Sequence, residues 1–176
     1  FALVHWGMFF KKDIIRYKLF LSDTRLFITL DFINKKYTEN IIYNKLLSDK
    51  LEANLEFVYK TAVAQILVSK GYKLFYYTIK RETSNRLYEV DFLISEGDKI
   101  SPIEVKSGNY RQHKSQEVFC EKFSRRVKNK YVIHTKDYTF ANGIHYLPVY
   151  MVPFFLTPED LRYQGIKAHE YNMTVS

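Results

Sequence analysis

A chain of 176 residues with 47% hydrophobic and 17% aromatic content holds enough apolar material for one packed domain without covalent staples. Its single cysteine, Cys120, excludes an internal disulfide framework and points to a reducing, cytoplasmic setting. A net charge of +8 and a pI near 9.4 suit a polyanionic partner such as nucleic acid, and equally a basic proteome or an acidic partner domain; no stretch approaches the ~20 apolar residues of a membrane span.

The opening run from Phe1 to Phe10 is apolar, does not begin with Met, and lacks a charged leader and a small-residue cleavage site, so the chain is expected to be a piece of a longer product. Residues 1–48 read as an aromatic-rich leader: a strand over 17–24, an apolar stretch of ambiguous period over 25–32, and a polar connector over 40–49. The spacing of Leu51, Leu55, Val58, Ala62 and Ile66 predicts a helix over 50–70, with Gly71 at its end. Aromatic and β-branched residues over 73–79 predict a strand, followed by a polar turn over 80–85. Two further strands, 87–95 and 100–107, flank a four-residue turn at 96–99. A second helix is predicted over 115–128, with Phe119, Phe123 and Val127 on one face, then short strands at 131–134 and 144–149. Thr157-Pro158 has the form of a helix start, so 157–176 reads as a terminal helix and tail.

The hairpin of 87–107 collects the chemistry. If Ser95 faces Ile100, then Asp91 lies opposite Glu104 and Glu89 opposite Lys106, while Val90, Phe92, Ile103 and Val105 share the reverse face. Carboxylates directly opposite one another repel, and something must offset the cost. A divalent cation such as Mg²⁺ or Mn²⁺ does so with Asp91 and Glu104 as ligands. Lys106, ~7 Å along the strand on the same side, is then placed to hold an attacking water or to stabilise charge on a phosphate. The same residues also suit a plain salt-bridge cluster in which Lys106 neutralises the acids. Pro102 within the last strand points to an edge or an irregular pairing.

A helix, a strand, a strand ending in Asp91, a turn and then Ile103-Glu104-Val105-Lys106-Ser107 resemble the PD-(D/E)XK, restriction-endonuclease-like superfamily; Val58-Tyr59 to Leu67, Phe75-Tyr76-Tyr77, Tyr88-Glu89-Val90-Asp91-Phe92-Leu93-Ile94 and Pro102 to Ser107 carry a closer likeness. That likeness is to an uncharacterised domain found C-terminal to AAA-type ATPase modules, over roughly residues 17–155, and extends through Leu19 to Thr24, Tyr110, His113, Ser115 and Leu147 to Met151. The resemblance implies an α/β fold with a central mixed β-sheet flanked by helices. It implies Asp91 and Glu104 as metal ligands, Lys106 as catalytic lysine, and an ATPase partner whose region would lie upstream; an active site of this kind would cut DNA or RNA, with DNA favoured. The domains expected are a leader or linker at 1–48, a nuclease-like domain at 49–156 and a terminal helix and tail at 157–176. No Gly-X-X-X-X-Gly-Lys-[Ser/Thr] motif is present for ATP itself.

Two positions depart from that pattern. Lys60 stands where the family's first helix carries glutamate; it would repel a cation or replace it by pairing with Asp91 and Glu104, while Glu56 one turn earlier suits an i,i+4 bridge to it. Arg25 stands where glycine normally follows the Ser-Asp-Thr turn. Both favour a second expectation, a non-catalytic interaction or regulatory domain with a degenerate site. Downstream, Arg111, His113 and Lys114 are candidate nucleic-acid contacts at the head of a basic run that continues through Lys122, Arg125, Arg126, Lys128 and Lys130. Alternatively that run is a solvated helix face. His134, His145 and His169 lack metal-ligand spacing, and Cys120 reads as a core residue.

Overall fold

The computed structural model describes residues 2–3, 18, 20, 55–81 and 86–156. The expectations for the rest of the leader, Arg25, the first turn of the helix over 50–54 and the terminal helix over 157–176 lie outside the described residues, as does most of the 80–85 turn.

A run free of Gly and Pro folds as helix α1, Leu55–Ser69. It closes in a Schellman arrangement: Gly71 takes φ +85, its N–H donates to the Val68 carbonyl (2.9 Å), and the Tyr72 N–H donates to the Leu67 carbonyl (3.0 Å). The buried stripe runs through Val58, Thr61, Ala64 and Leu67 rather than through Leu55, Ala62 and Ile66. Most positions of this helix are apolar, so period alone could not select the face; contact with the sheet does.

The sheet is mixed, in the order β1-β2-β3-β4-β5-β7-β6. Its strands are β1 (Ala2–Leu3), β2 (Phe75–Lys80), β3 (Leu87–Glu96), β4 (Lys99–Val105), β5 (Tyr131–His134), β6 (Thr139–Ala141) and β7 (Ile144–Pro148). Strands β2, β3 and β4 are antiparallel, whereas β4, β5 and β7 run parallel. Helix α1 and the short helix α3 (Val152–Phe155) cover one face: Val63, Ala64 and Leu67 meet Phe92, Ile94, Ile103, Val105, Ile133 and Leu147, with Val152 beside them. Helix α2 (Lys114–Lys122) covers the other through Phe119, which packs with Tyr77, Val90 and Leu93. The expected α/β architecture, a mixed sheet with helices on both sides, is therefore present. Among the described residues no helix is long and apolar enough to cross a membrane.

The β3–β4 register is as expected, with Ser95 opposite Ile100 and Phe92 opposite Ile103. The turn is tighter than four residues. Glu96 pairs with Lys99, leaving Gly97-Asp98 as the two-residue turn with Gly97 at φ +68. Glu96 is not a turn residue but a buried anchor, accepting from Ser101 Oγ, Asn129 Nδ2 (2.9 Å) and Tyr131 Oη (3.3 Å).

Pro102 sits in a central strand, not an edge, where pairing with β5 has yet to begin. Gln116 of α2 spans this gap, donating from Nε2 to the carbonyls of Pro102 (3.2 Å) and Tyr131 (2.8 Å). The second helix ends at Lys122 rather than 128, because Val127 turns extended to bridge Ile100 and Lys128 N–H donates to the Ile100 carbonyl. Strand β6 was not expected, although Asn142-Gly143 between it and β7 is a strong two-residue hairpin signal; both residues take positive φ (52 and 71).

Gly71→Ala should destabilise the fold by ~1 kcal/mol in urea unfolding, since the added Cβ meets nothing within 4 Å and only the left-handed backbone opposes it. Gly108→Ala, equally open and without a positive φ, should change stability far less.

Candidate functional site

The pairing of β2 with β3 shifts by one residue: Phe75 faces Leu93 and Tyr77 faces Val90, so Asp91 and Phe92 together oppose Tyr76. Such a bulge re-aims side chains. It also corrects the expected division of faces. Val90 and Val105 do not share one; Val90 packs with Phe119 on the α2 side, and Val105 lies in the cluster under α1. Asp91, 3% exposed, faces α1 and meets its lysine: Lys60 Nζ lies 2.8 Å from Asp91 Oδ1 and 2.8 Å from Glu56 Oε1. Asp91 Oδ2 accepts from the Val105 N–H at 2.9 Å. Both oxygens of Asp91 are thus engaged.

Glu104, also 3% exposed, follows the alternation of β4. Its neighbours Ile103 and Val105 fill the α1-side cluster, so its side chain starts toward the opposite side. Lys106 holds its Oε1 at 2.9 Å, while Oε2 is buried without a hydrogen-bond partner. Burial raises the Glu104 carboxyl to about 7, helped by the charge of Asp91 and opposed by Lys106 and Lys60. The two acids therefore sense each other by charge, but their side chains leave opposite faces of the sheet, Asp91 toward α1 and Glu104 away from it, which corrects the expectation that they share one face. Asp91 is itself pushed up by burial, against the pull of Lys60, Lys18 and the Val105 N–H. Burial alone would lower Lys60; its contacts with Asp91 and Glu56 outweigh that and hold its ammonium charged.

A further lysine was not foreseen from the sequence. Lys18 Nζ contacts Glu89 Oε1 at 2.6 Å and approaches Asp91 Oδ1 at 3.9 Å. It stands 71 positions from Glu89, and no local pattern links them. Lys18 thus joins Glu89 to Asp91, Lys60 joins Asp91 to Glu56, and Lys106 holds Glu104; the expected pairing of Glu89 with Lys106 is not among the contacts of the described residues. A hard dication takes about six oxygen ligands in near-octahedral array. Here Lys60 places a positive charge on Asp91, and Glu104 Oε2 is the one carboxylate oxygen of the pair left open. With Lys60 seated, this donor set does not fit a divalent cation.

The downstream candidates separate. Arg111 is exposed and lines a cleft of ≈ 650 Å³ beside β6 and β7. His113 also lines it but is buried, with Nε2 at 2.9 Å from Tyr146 Oη. Lys114 is exposed and pairs with Glu117 at 3.4 Å. Lys122 turns to the Tyr77 hydroxyl (3.3 Å), and Arg125 and Arg126 stand exposed on a 3₁₀ turn. His134 and His145 are pushed down by burial, which favours the neutral imidazole in each.

A family model described as "Domain of unknown function (DUF4143)" matches residues 35–152, more than half of the chain. Neither the curated proteins nor the solved structures gave a match.

Lys60→Met should cost about 3 kcal/mol in chemical unfolding, at the low end for breaking a buried pair because the Lys60 side chain is 19% exposed. Glu104 binds its proton more tightly folded than unfolded, so its contribution is full below about pH 4.5 and is lost as pH rises through about 7. Wild-type stability should accordingly fall across that interval, and Glu104→Gln should flatten the slope by up to one proton in melts taken from pH 4 to 8.

Proposed function

The chain belongs to the family described as a domain of unknown function, DUF4143, and on that footing we propose that it is a non-catalytic module of nuclease-like build whose carboxylate site is closed by its own lysines. What carries the reading is Lys60, seated between Asp91 and Glu56 at 2.8 Å from each. In a restriction-endonuclease-like site, Asp91 and Glu104 would hold the metal and Lys106 would serve as catalytic lysine. Lys60 supplies from within the charge that the metal would bring from outside. Repulsion between the carboxylates is then offset without any cofactor, and no water is activated.

A domain of this kind acts by contact. Its work is docking to or regulating a AAA-type ATPase, with the restriction-endonuclease-like fold kept as scaffold, in a cytoplasmic setting that suits the single free cysteine. A second reading, hydrolysis of phosphodiesters in DNA with Mg²⁺ or Mn²⁺, is favoured by one observation. Glu104 keeps a buried oxygen without a partner and a carboxyl raised to about 7, as a ligand awaiting an ion would. That reading requires Lys60 to swing away from Asp91.

Calorimetric titration of Mn²⁺ separates the two. Wild type should show no binding. Lys60→Glu should gain a site, and adding Asp91→Ala should remove it. Wild-type binding that Asp91→Ala abolishes, joined to DNA cleavage that Lys106→Ala reduces, would overturn the closed-site reading.

A further inference from the structure

The cleft beside β6 and β7 differs from the carboxylate site in one respect: among the described residues its cations have no acids of their own. Arg111 and Lys130 both line it. Among the described residues neither meets a carboxylate, and the Lys130 ammonium reaches only the Asn142 carbonyl, at 3.5 Å. The one acid in the lining, Glu117, is already taken by Lys114 at 3.4 Å. Bare cations on a concave wall are stabilised by an anion that releases their counterions.

Around Tyr110, His113 and Tyr146, which line the cleft, the polar groups are arranged rather than exposed. Tyr110 stacks on His134 with centroids 4.2 Å apart and planes 13° from parallel, and it meets Tyr146 edge-on at 5.6 Å. Burial pushes the Tyr146 phenol up and keeps its hydroxyl protonated beside His113 Nε2. The His113 side chain is only 8% exposed, yet its Nδ1 makes no hydrogen bond; Glu117 stands 3.3 Å away, outside hydrogen-bond geometry. An unsatisfied buried nitrogen in a cleft wall calls for a partner that enters the cleft.

His113 is also the N-cap residue of the nine-residue helix α2 and makes no side-chain cap bond. The first N–H groups of that helix and the positive end of its dipole therefore sit beside the same wall. A volume of ≈ 650 Å³ is that of an organic ligand pocket rather than of a bare ion.

We propose that this cleft is a binding site for a nucleotide phosphate, with Arg111 and Lys130 holding the phosphate, His113 and the Tyr146 hydroxyl reading its polar groups, and Ile144 giving an apolar wall to the rest. The phosphate can belong to a free mononucleotide or to a short strand, and the two are distinguished by experiment. The site is independent of the carboxylate cluster: it uses none of Lys18, Lys60, Asp91, Glu104 or Lys106.

The test is calorimetric titration of the full chain at low salt with adenosine monophosphate, with inorganic phosphate, and with an eight-nucleotide deoxythymidine strand bearing or lacking a 5′-phosphate. At least one nucleotide probe should bind more tightly than inorganic phosphate. Its affinity should fall at least tenfold in Arg111→Ala and in Lys130→Ala, change little in Arg125→Ala, and persist in Lys60→Glu. Binding of the monophosphate assigns a free nucleotide; binding of the strand alone, whatever its 5′ end, assigns a backbone diester. Thermal melts matching wild type show that a lost affinity is local. No binding of any probe at millimolar concentration, or an equal loss in Arg125→Ala, overturns the proposal.

Discussion

The ion pair of Lys60 with Asp91 is the constraint on which the centre of the molecule depends. A carboxylate 3% exposed, in a strand packed on both faces, is tolerated only if a counter-charge and hydrogen bonds replace the water it has lost. Asp91 receives the ammonium of Lys60 on one oxygen and the Val105 N–H on the other, with Lys18 standing further off. The cations come from three separate parts of the chain: the N-terminal region, helix α1, and the segment just after β4. Pairing with them ties α1 and Lys18 to the hairpin by charge, as Leu67 and Phe92 tie helix and sheet by apolar contact.

That pairing depends in turn on the bulge. Strict alternation away from Phe92 would send Val90 beneath α1 and turn Asp91 toward α2. Inserting the extra residue opposite Tyr76 sends Val90 to Phe119 and leaves Asp91 facing Lys60. One irregular step in β3 thus does two things. It divides the apolar residues between the two helix layers, and it delivers a charged side chain to the layer that carries its partner. Glu104, on a strand without the bulge, keeps the regular period and finds Lys106 two residues on.

Much of this was legible in the sequence, and what was not has physical causes. The β3–β4 register followed from a two-residue period and a glycine turn. The bridge from Lys60 to Glu56 followed from i,i+4 spacing, and the arrest of α1 at Gly71 from the left-handed backbone that glycine permits. The bulge left no local mark, because Val-Asp-Phe-Leu reads equally well as unbroken alternation up to Asp91. Lys18 was hidden by its distance along the chain, and the burial of Glu96 by the custom of placing acids in turns. The early end of α2 was a tertiary effect: Val127 gains more by pairing beside Ile100 than by adding a helical turn. Strand β6 could have been read, since Asn-Gly between short β-prone runs was on the page.

The basic composition acquires meaning only when its charges are sorted by what they face. Lys18, Lys60 and Lys106 are paired with Glu56, Glu89, Asp91 and Glu104, so most of the charge in the carboxylate cluster is offset within it. Lys114 is likewise spent on Glu117. Among the described residues Arg111 and Lys130 meet no carboxylate, and they share one concave surface with a buried imidazole nitrogen that lacks a bond there. An excess of positive charge spread evenly would give weak, indiscriminate attraction. Two such cations held over a shaped wall would give direction to that attraction, at a place two strands along the sheet from Glu104.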